Sequence, residues 1–290
     1  MNFLKNVSGF LRYRFKLYLS ILKCSISGGS FVYSITPKVK FVCTQQDSFS
    51  KVIYISNGHE KLEMEWCRVF LKNAKAKMIF DCGANIGYFS SYLAQTNPTY
   101  SFIAIEGNEK TFKILQNNTR KLNLPTITCI HSILGENLEE SFEIPDTPGR
   151  EPWQQAKVTS HSTVKTLTLD FLTETYQLPD LVKIDCEGFE VKILKGAISL
   201  LSHSHCVFMV ECNDEALHHA DTSREELFKL FQQHHYRLIH LSSFGKAMAP
   251  GLELTKDFPS TEFNFVAFPD KPYFINLIEN SIKDLKAVFP

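Results

Sequence analysis

No aspartate or glutamate occurs before Asp47. The same stretch holds Lys5, Arg12, Arg14, Lys16, Lys23, Lys38 and Lys40, so it carries +7 while the remainder of a neutral chain carries −7. Charge divided in this way predicts a basic arm that faces a membrane or an anionic partner. The zero net charge argues against a domain built on nucleic-acid backbone, and no nucleic acid is expected as a partner. The eight cysteines, Cys24, Cys43, Cys67, Cys82, Cys129, Cys186, Cys206 and Cys212, include no Cys-x-x-Cys pair. No zinc framework is therefore expected, and no metal site. Several of these thiols sit in apolar runs, which suits unpaired cysteines in a reducing cytosol. No apolar run is long enough to span a bilayer, and charges interrupt the first residues too often for a clean signal peptide. The expected location is cytoplasmic, with membrane association through the arm. There is no Gly-x-Ser-x-Gly elbow of a serine hydrolase, no internal repeat, and no feature that specifies an oligomer.

What is present reads as a globular α/β chain of 290 residues, 44% hydrophobic and 21% charged. Residues 3–23 have helical spacing, with Leu4, Val7, Leu11, Phe15, Tyr18 and Leu22 on one side and Lys5, Arg12, Lys16 and Lys23 on another. Such a helix either lies on anionic lipid or packs on the domain. Residues 25–46 read as loop and short strand. From residue 52 strands and helices alternate: Val52–Ile55 as strand, His59–Ala74 as helix, then strands Met78–Asp81, Ser101–Glu106, Ile127–Ile133, Leu181–Asp185 and Cys206–Glu211, with single helices such as Val191–Leu201 between them. Tyr236–Leu241 and Glu262–Phe268 close the sheet, and Phe274–Val288 is a tail helix. This alternation predicts a doubly wound, mostly parallel sheet with helices on both faces. The expected division is 1–50 as basic helix and connector, 51–270 as the main domain with an insertion at 135–165, and 271–290 as a helical tail.

The densest signal is Ile79-Phe80-Asp81-Cys82-Gly83-Ala84-Asn85-Ile86-Gly87, a buried strand entering a small-residue loop and then a helix. Ligands of doubly wound sheets bind at such carboxyl ends. Gly83 and Gly87 let backbone come close to a ligand, and Asn85 tolerates left-handed geometry. A dinucleotide site would carry Gly-x-Gly-x-x-Gly to hold a pyrophosphate. Here Asp81 stands ahead of the loop, where it would repel a pyrophosphate but suit the amino group of S-adenosylmethionine (SAM). Glu106 ends the next strand, in position for ribose hydroxyls. A second strand delivers Lys183-Ile184-Asp185-Cys186-Glu187-Gly188 to the same edge.

With both motifs the chain resembles the FkbM-type SAM-dependent methyltransferases across roughly residues 60–268. Asp81–Gly87 is similar to the family's opening motif. Lys183–Gly188, with Glu190 and Leu194-Lys195-Gly196-Ala197, is similar to its second hallmark. Thr168-Leu169-Asp170, Glu211 and Asn264-Phe265 also fit, and Cys82 and Cys186 stand where valine is common. The resemblance implies a Rossmann-like, seven-stranded sheet with an antiparallel last strand, and methyl transfer to oxygen on a sugar, polyketide or similar small molecule; the basic N-terminal helix adds a glycolipid to these acceptors. It implies Asp81, Gly83, Asn85, Gly87 and Glu106 as the cofactor set, with Asp185, Glu187 and Lys183 at the reacting centre. One of the two carboxylates would take the acceptor's proton and the other orient it. An NAD(P)-dependent oxidoreductase and a non-catalytic binding or scaffold protein on the same fold are the alternatives.

Overall fold

The computed structural model describes residues 2–143, 157–158, 164–241, 254–260 and 262–288. The chain begins with helix α1 (Asn2–Ile26) and an antiparallel hairpin, β1 (Ser30–Ser34) and β2 (Lys40–Thr44). Helix α2 (Ser48–Ser56) follows, where the sequence reads a strand at Val52–Ile55. The caps explain the correction. The Asp47 side chain accepts from the Ser50 amide at one end, and Asn57 adopts left-handed geometry at the other. Two good caps outweigh the strand preference of β-branched residues in a short segment. Helix α3 (Lys61–Ala74) then leads into the main sheet.

That sheet is built from β3 (Met78–Cys82), α4 (Tyr88–Thr96), β4 (Ser101–Glu106), α5 (Glu109–Lys121) and β5 (Ile127–His131). The expected third strand, Ile127–Ile133, ends early, because β6 (Ile133–Leu134) leaves to pair with a smaller sheet. β6 joins β7 (Ser141–Glu143), β8 (Lys157–Val158) and β9 (Val164–Leu167) there. The β7–β8 pair is antiparallel, so the expected insertion contains a strand pair. Its Pro145, Pro148, Gly149, Pro152 and Trp153 lie outside the described residues.

The alternation resumes with α6 (Leu169–Thr175), β10 (Leu181–Ile184), α7 (Glu190–Lys195), α8 (Ile198–His203) and β11 (Val207–Cys212). The single helix expected over Val191–Leu201 is two, divided at Gly196. A Cβ there would stand 2.2 Å from the Gly135 carbonyl oxygen, so close backbone contact fixes the break. Helix α9 (Asp214–His219), absent from the sequence reading, is capped by the Asn213 side chain. The chain closes with α10 (Arg224–Gln233), β12 (Tyr236–Leu241), β13 (Leu254–Thr255), β14 (Phe263–Pro269) and α11 (Pro272–Val288).

In space the strands run β13-β12-β14-β11-β10-β3-β4-β5. The five from β11 to β5 are parallel, and β14 is antiparallel to both its neighbours. The seven-stranded sheet with an antiparallel last strand is thus observed, and the two-residue β13 extends its edge. Alternation along β3 sends Ile79 to one face and Phe80 to the other. Ile79 meets Trp66, Phe70, Leu93 and Leu115 from α3, α4 and α5, with Ile278 and Leu285 of α11. Phe80 meets Leu172, Leu194, Leu201 and Phe231 from α6, α7, α8 and α10. The hairpin belongs to the first core, since Phe41 packs edge-on against Tyr88 at 5.3 Å. Among the described residues no helix is long and apolar enough to cross a membrane.

Candidate active site

Burial forces β3, β4, β10 and β11 to be apolar along their length, so their polar residues collect at the carboxyl edge. A cavity of about 930 Å³ opens there. Asp81, near the end of β3, is fully buried. Its Oδ2 accepts from the Ser90 hydroxyl, while Oδ1 has no hydrogen-bond partner among the described residues. Burial raises the carboxyl above its usual range, against the pull of Lys183 and the Ser90 hydrogen bond. A buried acceptor left unpaired at a cavity wall is costly unless a donor from outside fills the role.

The loop after Asp81 is held by the Ile105 carbonyl, which accepts from the amides of Gly83 (3.1 Å) and Ala84 (2.8 Å). Gly83 and Gly87 both have positive φ, at 79° and 82°. Both glycines also meet a packing requirement within the fold. A Cβ on Gly83 would stand 1.9 Å from the Asp185 carbonyl oxygen, and one on Gly87 would stand 2.5 Å from Leu115 Cδ1. Gly83 therefore lets the β3 and β10 loops touch backbone to backbone. Gly83→Ala is expected to destabilise the fold by about 3 kcal/mol, from overpacking together with left-handed strain. Urea unfolding measures it, and an unchanged midpoint would contradict the contact.

Asn85, at φ 49°, turns its amide to Glu106 Oε2 at 2.9 Å, and the Asn108 amide reaches Oε1 at 2.8 Å. Burial pushes Glu106 up to about 7, with these two hydrogen bonds opposing. Asn108 in turn caps α5 by accepting from the amides of Lys110 and Thr111.

Across the Gly83 contact lies the second loop. Lys183 is buried, its Nζ 2.5 Å from Asp185 Oδ2 and 5.5 Å from the centre of the Phe89 ring. Burial opposes its charge, but Asp185, Glu60 and Asp81 overcome this and raise its pKa, so it stays an ammonium. Burial likewise opposes the Asp185 carboxylate, and Lys183 with a hydrogen bond from Glu211 holds it below the usual range. Glu211, at the end of β11, is driven well above its usual range by burial and by Asp185 and Glu187. Its side chain shares a hydrogen bond with Asp185, and its Oε2 is a buried atom without a partner among the described residues. Glu187 lines the cavity from a left-handed backbone at φ 54°.

Glu190 opens α7 and its Oε1 accepts from the Cys186 amide at 3.0 Å. Burial pushes it up to about 7. Its folded pKa thus exceeds its ordinary 4.5, so the folded state keeps a proton that the unfolded chain loses. Stability from this group is present below that ordinary value and is lost as pH rises from 4.5 to about 7. Glu190→Gln keeps the acceptor and removes the titration. It is expected to flatten that part of the stability profile and to raise stability at pH 8 by up to about 3 kcal/mol. Urea melts of both proteins at several pH values test this, and parallel profiles would refute it.

The structure brings all eight sequence-selected residues to this one edge: Asp81, Gly83, Asn85, Glu106, Lys183, Asp185 and Glu187 line the cavity, and Gly87 supports the loop beneath α4. Sequence reasoning missed His59 and Glu60, which line the same cavity. His59 Nε2 is 3.6 Å from Glu60 Oε1. The hydrogen bond with Glu60 raises the His59 pKa, with burial opposing. The available signal was Asn57-Gly58, a turn pair directly ahead of α3. Glu60 sits in the left-handed region at φ 43°, a strain that concentrates at functional sites. Among the described residues no group of three or more His, Cys, Asp or Glu is arranged to hold a metal ion.

A parallel sheet of this order, with acids at the ends of β3 and β4 and a third at β10, defines a Rossmann-like methyltransferase. The model of the methyltransferase FkbM domain matches residues 81–238. The chain belongs to that family of SAM-dependent methyltransferases. The hexuronic acid methyltransferase AglP of Haloferax volcanii is 26% identical over 150 residues, which make up 51% of this chain and 61% of AglP. The chain thus spans about three fifths of that relative's length. Among solved structures, the methyltransferase FkbM from Methylobacillus flagellatus is 19% identical with a TM-score of 0.43, over 67% of this chain and 43% of that one. An O-methyltransferase from Bacillus cereus in complex with SAH is 14% identical with a TM-score of 0.39, over 71% and 79%.

Proposed function

We propose that the protein methylates a hydroxyl oxygen on a sugar, glycolipid or similar small molecule, with SAM as donor. The observation that carries this reading is the union of the Asp81–Glu106 acids and the Lys183–Asp185 pair in one cavity, across the Gly83 contact. The residues fit the cofactor: Asp81 Oδ1 is a buried acceptor awaiting a donor, as an amino group would provide, and Glu106 offers a carboxyl for ribose hydroxyls. Asp81, the Gly83–Gly87 loop and Glu106 would hold it. Bound there, SAM supplies an electrophilic methyl carbon on a sulfonium. The sugar class is supported by AglP, which acts on hexuronic acid.

Transfer requires the acceptor oxygen to be aligned and its proton removed. Lys183 fixes the Asp185 carboxylate, so Asp185 is suited to accept the hydroxyl's hydrogen bond and orient it. Glu187 is the better placed to take the proton, because Asp185 is already held ionised by a cation and a donor. Bound SAM would supply the methyl carbon, and the Glu187 carboxylate would take the hydroxyl proton as the oxygen is methylated. Residues 51–270 form the catalytic body in this reading, and residues 3–23 make peripheral contact with a membrane on the cytoplasmic side.

Calorimetric titration of the wild type with SAM, NAD+ and NADP+ tests the proposal. SAM binding alone is the expected result. Binding of a nicotinamide dinucleotide in its place would move the protein to the oxidoreductases.

A further inference from the structure

Helix α1 packs on the domain, but not through its apolar row. Among its described side chains, Ser20 and Cys24 are the ones it buries. On that side Lys16 Nζ donates to the Ile55 carbonyl of α2 at 2.8 Å, and Lys23 Nζ donates to the Tyr54 hydroxyl at 3.2 Å. Lys23 also lies 5.4 Å from the ring centres of Phe31 and Tyr54. Two lysines are thereby turned inward as anchors.

The opposite face carries Leu11, Phe15, Tyr18, Leu22 and Ile26, at i, i+4, i+7, i+11 and i+15, one row along the helix. These side chains are 61%, 63%, 64%, 41% and 77% exposed. Scattered exposed apolar residues are ordinary, but five in one row are a surface with a partner. Arg12 and Arg14 are exposed beside it, and no acid occurs anywhere in α1 or the hairpin. An apolar row among cations without any anion is complementary to an anionic bilayer, where the row enters the acyl boundary and the cations meet headgroups.

We propose that α1 seats the protein on an anionic lipid surface through Leu11, Phe15, Tyr18, Leu22 and Ile26. The inference deepens the methyltransferase reading and rests on it for the acceptor class. Helix α2, which α1 grips through Lys16, also forms the cavity wall with Ser48, Phe49 and Val52. The docking helix and the cavity therefore share one element, and the acceptor class that uses this arrangement is a lipid-linked sugar or glycolipid.

Co-sedimentation of the full chain with vesicles tests the surface, using pure phosphatidylcholine and phosphatidylcholine with a quarter phosphatidylglycerol. The wild type is expected to partition onto the anionic vesicles and to fall off as salt is raised. Phe15→Ser with Leu22→Ser should abolish binding, and Arg12→Gln should weaken it about fivefold. Circular dichroism and SAM titration on the same samples separate the outcomes. Intact SAM binding without vesicle binding overturns the membrane surface alone, and so does a wild-type dimer in solution that the double variant dissolves. Vesicle binding by a well-folded protein that does not bind SAM overturns the methyltransferase reading and leaves the surface standing.

Discussion

Asp81→Ala combined with Glu106→Ala is expected to reduce SAM affinity at least about a hundredfold while the chain stays folded. Hydrogen bonds to charged groups are worth about 1.5–3 kcal/mol each, so losing two costs about 3 kcal/mol or more, and each 1.4 kcal/mol is tenfold. Asp81 is the stronger contributor, because its Oδ1 is buried and has no other partner among the described residues. Folding should survive, because burial raises the pKa of both carboxyls, so the folded state strains against their charge. Asp81→Asn separates charge from shape. It can still accept from Ser90, so a large loss there assigns the effect to the carboxylate. Calorimetry is the measurement. Wild-type affinity in the double variant would remove these residues from the cofactor site.

The second large effect concerns turnover. Asp185→Asn and Glu187→Gln are each expected to lower kcat by about 10²–10⁴, the range of a lost acid–base group, with SAM affinity changed little. The two should differ in kind. Asp185→Asn breaks the pair with Lys183 and leaves a buried ammonium facing a neutral amide. It should cost stability as well as rate, by about 3 kcal/mol. Glu187→Gln keeps the size and polarity of the side chain, so its main effect should fall on turnover. Glu187→Gly should relieve the left-handed strain at φ 54° while losing turnover. Near wild-type rates in both Asp185→Asn and Glu187→Gln would dismiss them as the proton-handling pair.

Much of this site was legible because burial writes a simple pattern. A strand covered on both faces must be apolar, so a lone acid at its end stands out, as Asp81, Glu106 and Asp185 do. What stayed hidden depends on contacts distant in sequence. Nothing near Gly83 says that the Asp185 carbonyl lies where its Cβ would be, so the packing role of this glycine is invisible in the sequence. Nothing near Gly196 announces Gly135, and two helices read as one. At Val52–Ile55 the competing signals are local: the Asp47 cap and the Asn57 turn stand on either side of a β-branched run that by itself favours strand. The α1 reading fared differently. Periodicity found the apolar row, but only the fold revealed that the helix rests on its other side.

The Gly83 contact has a consequence for how acceptor preference evolves. Two loops that meet backbone to backbone behave as one casting, so the spacing between the donor acids and the reacting carboxylates is a fixed dimension. Neither loop can be lengthened or re-aimed without prising the other away. Change in what is methylated is therefore channelled into the parts that border the cavity without belonging to the casting, chiefly α2 and the turn at residues 57–60. Exchanging those segments between relatives should transplant acceptor choice while the chemistry stays where the sheet holds it.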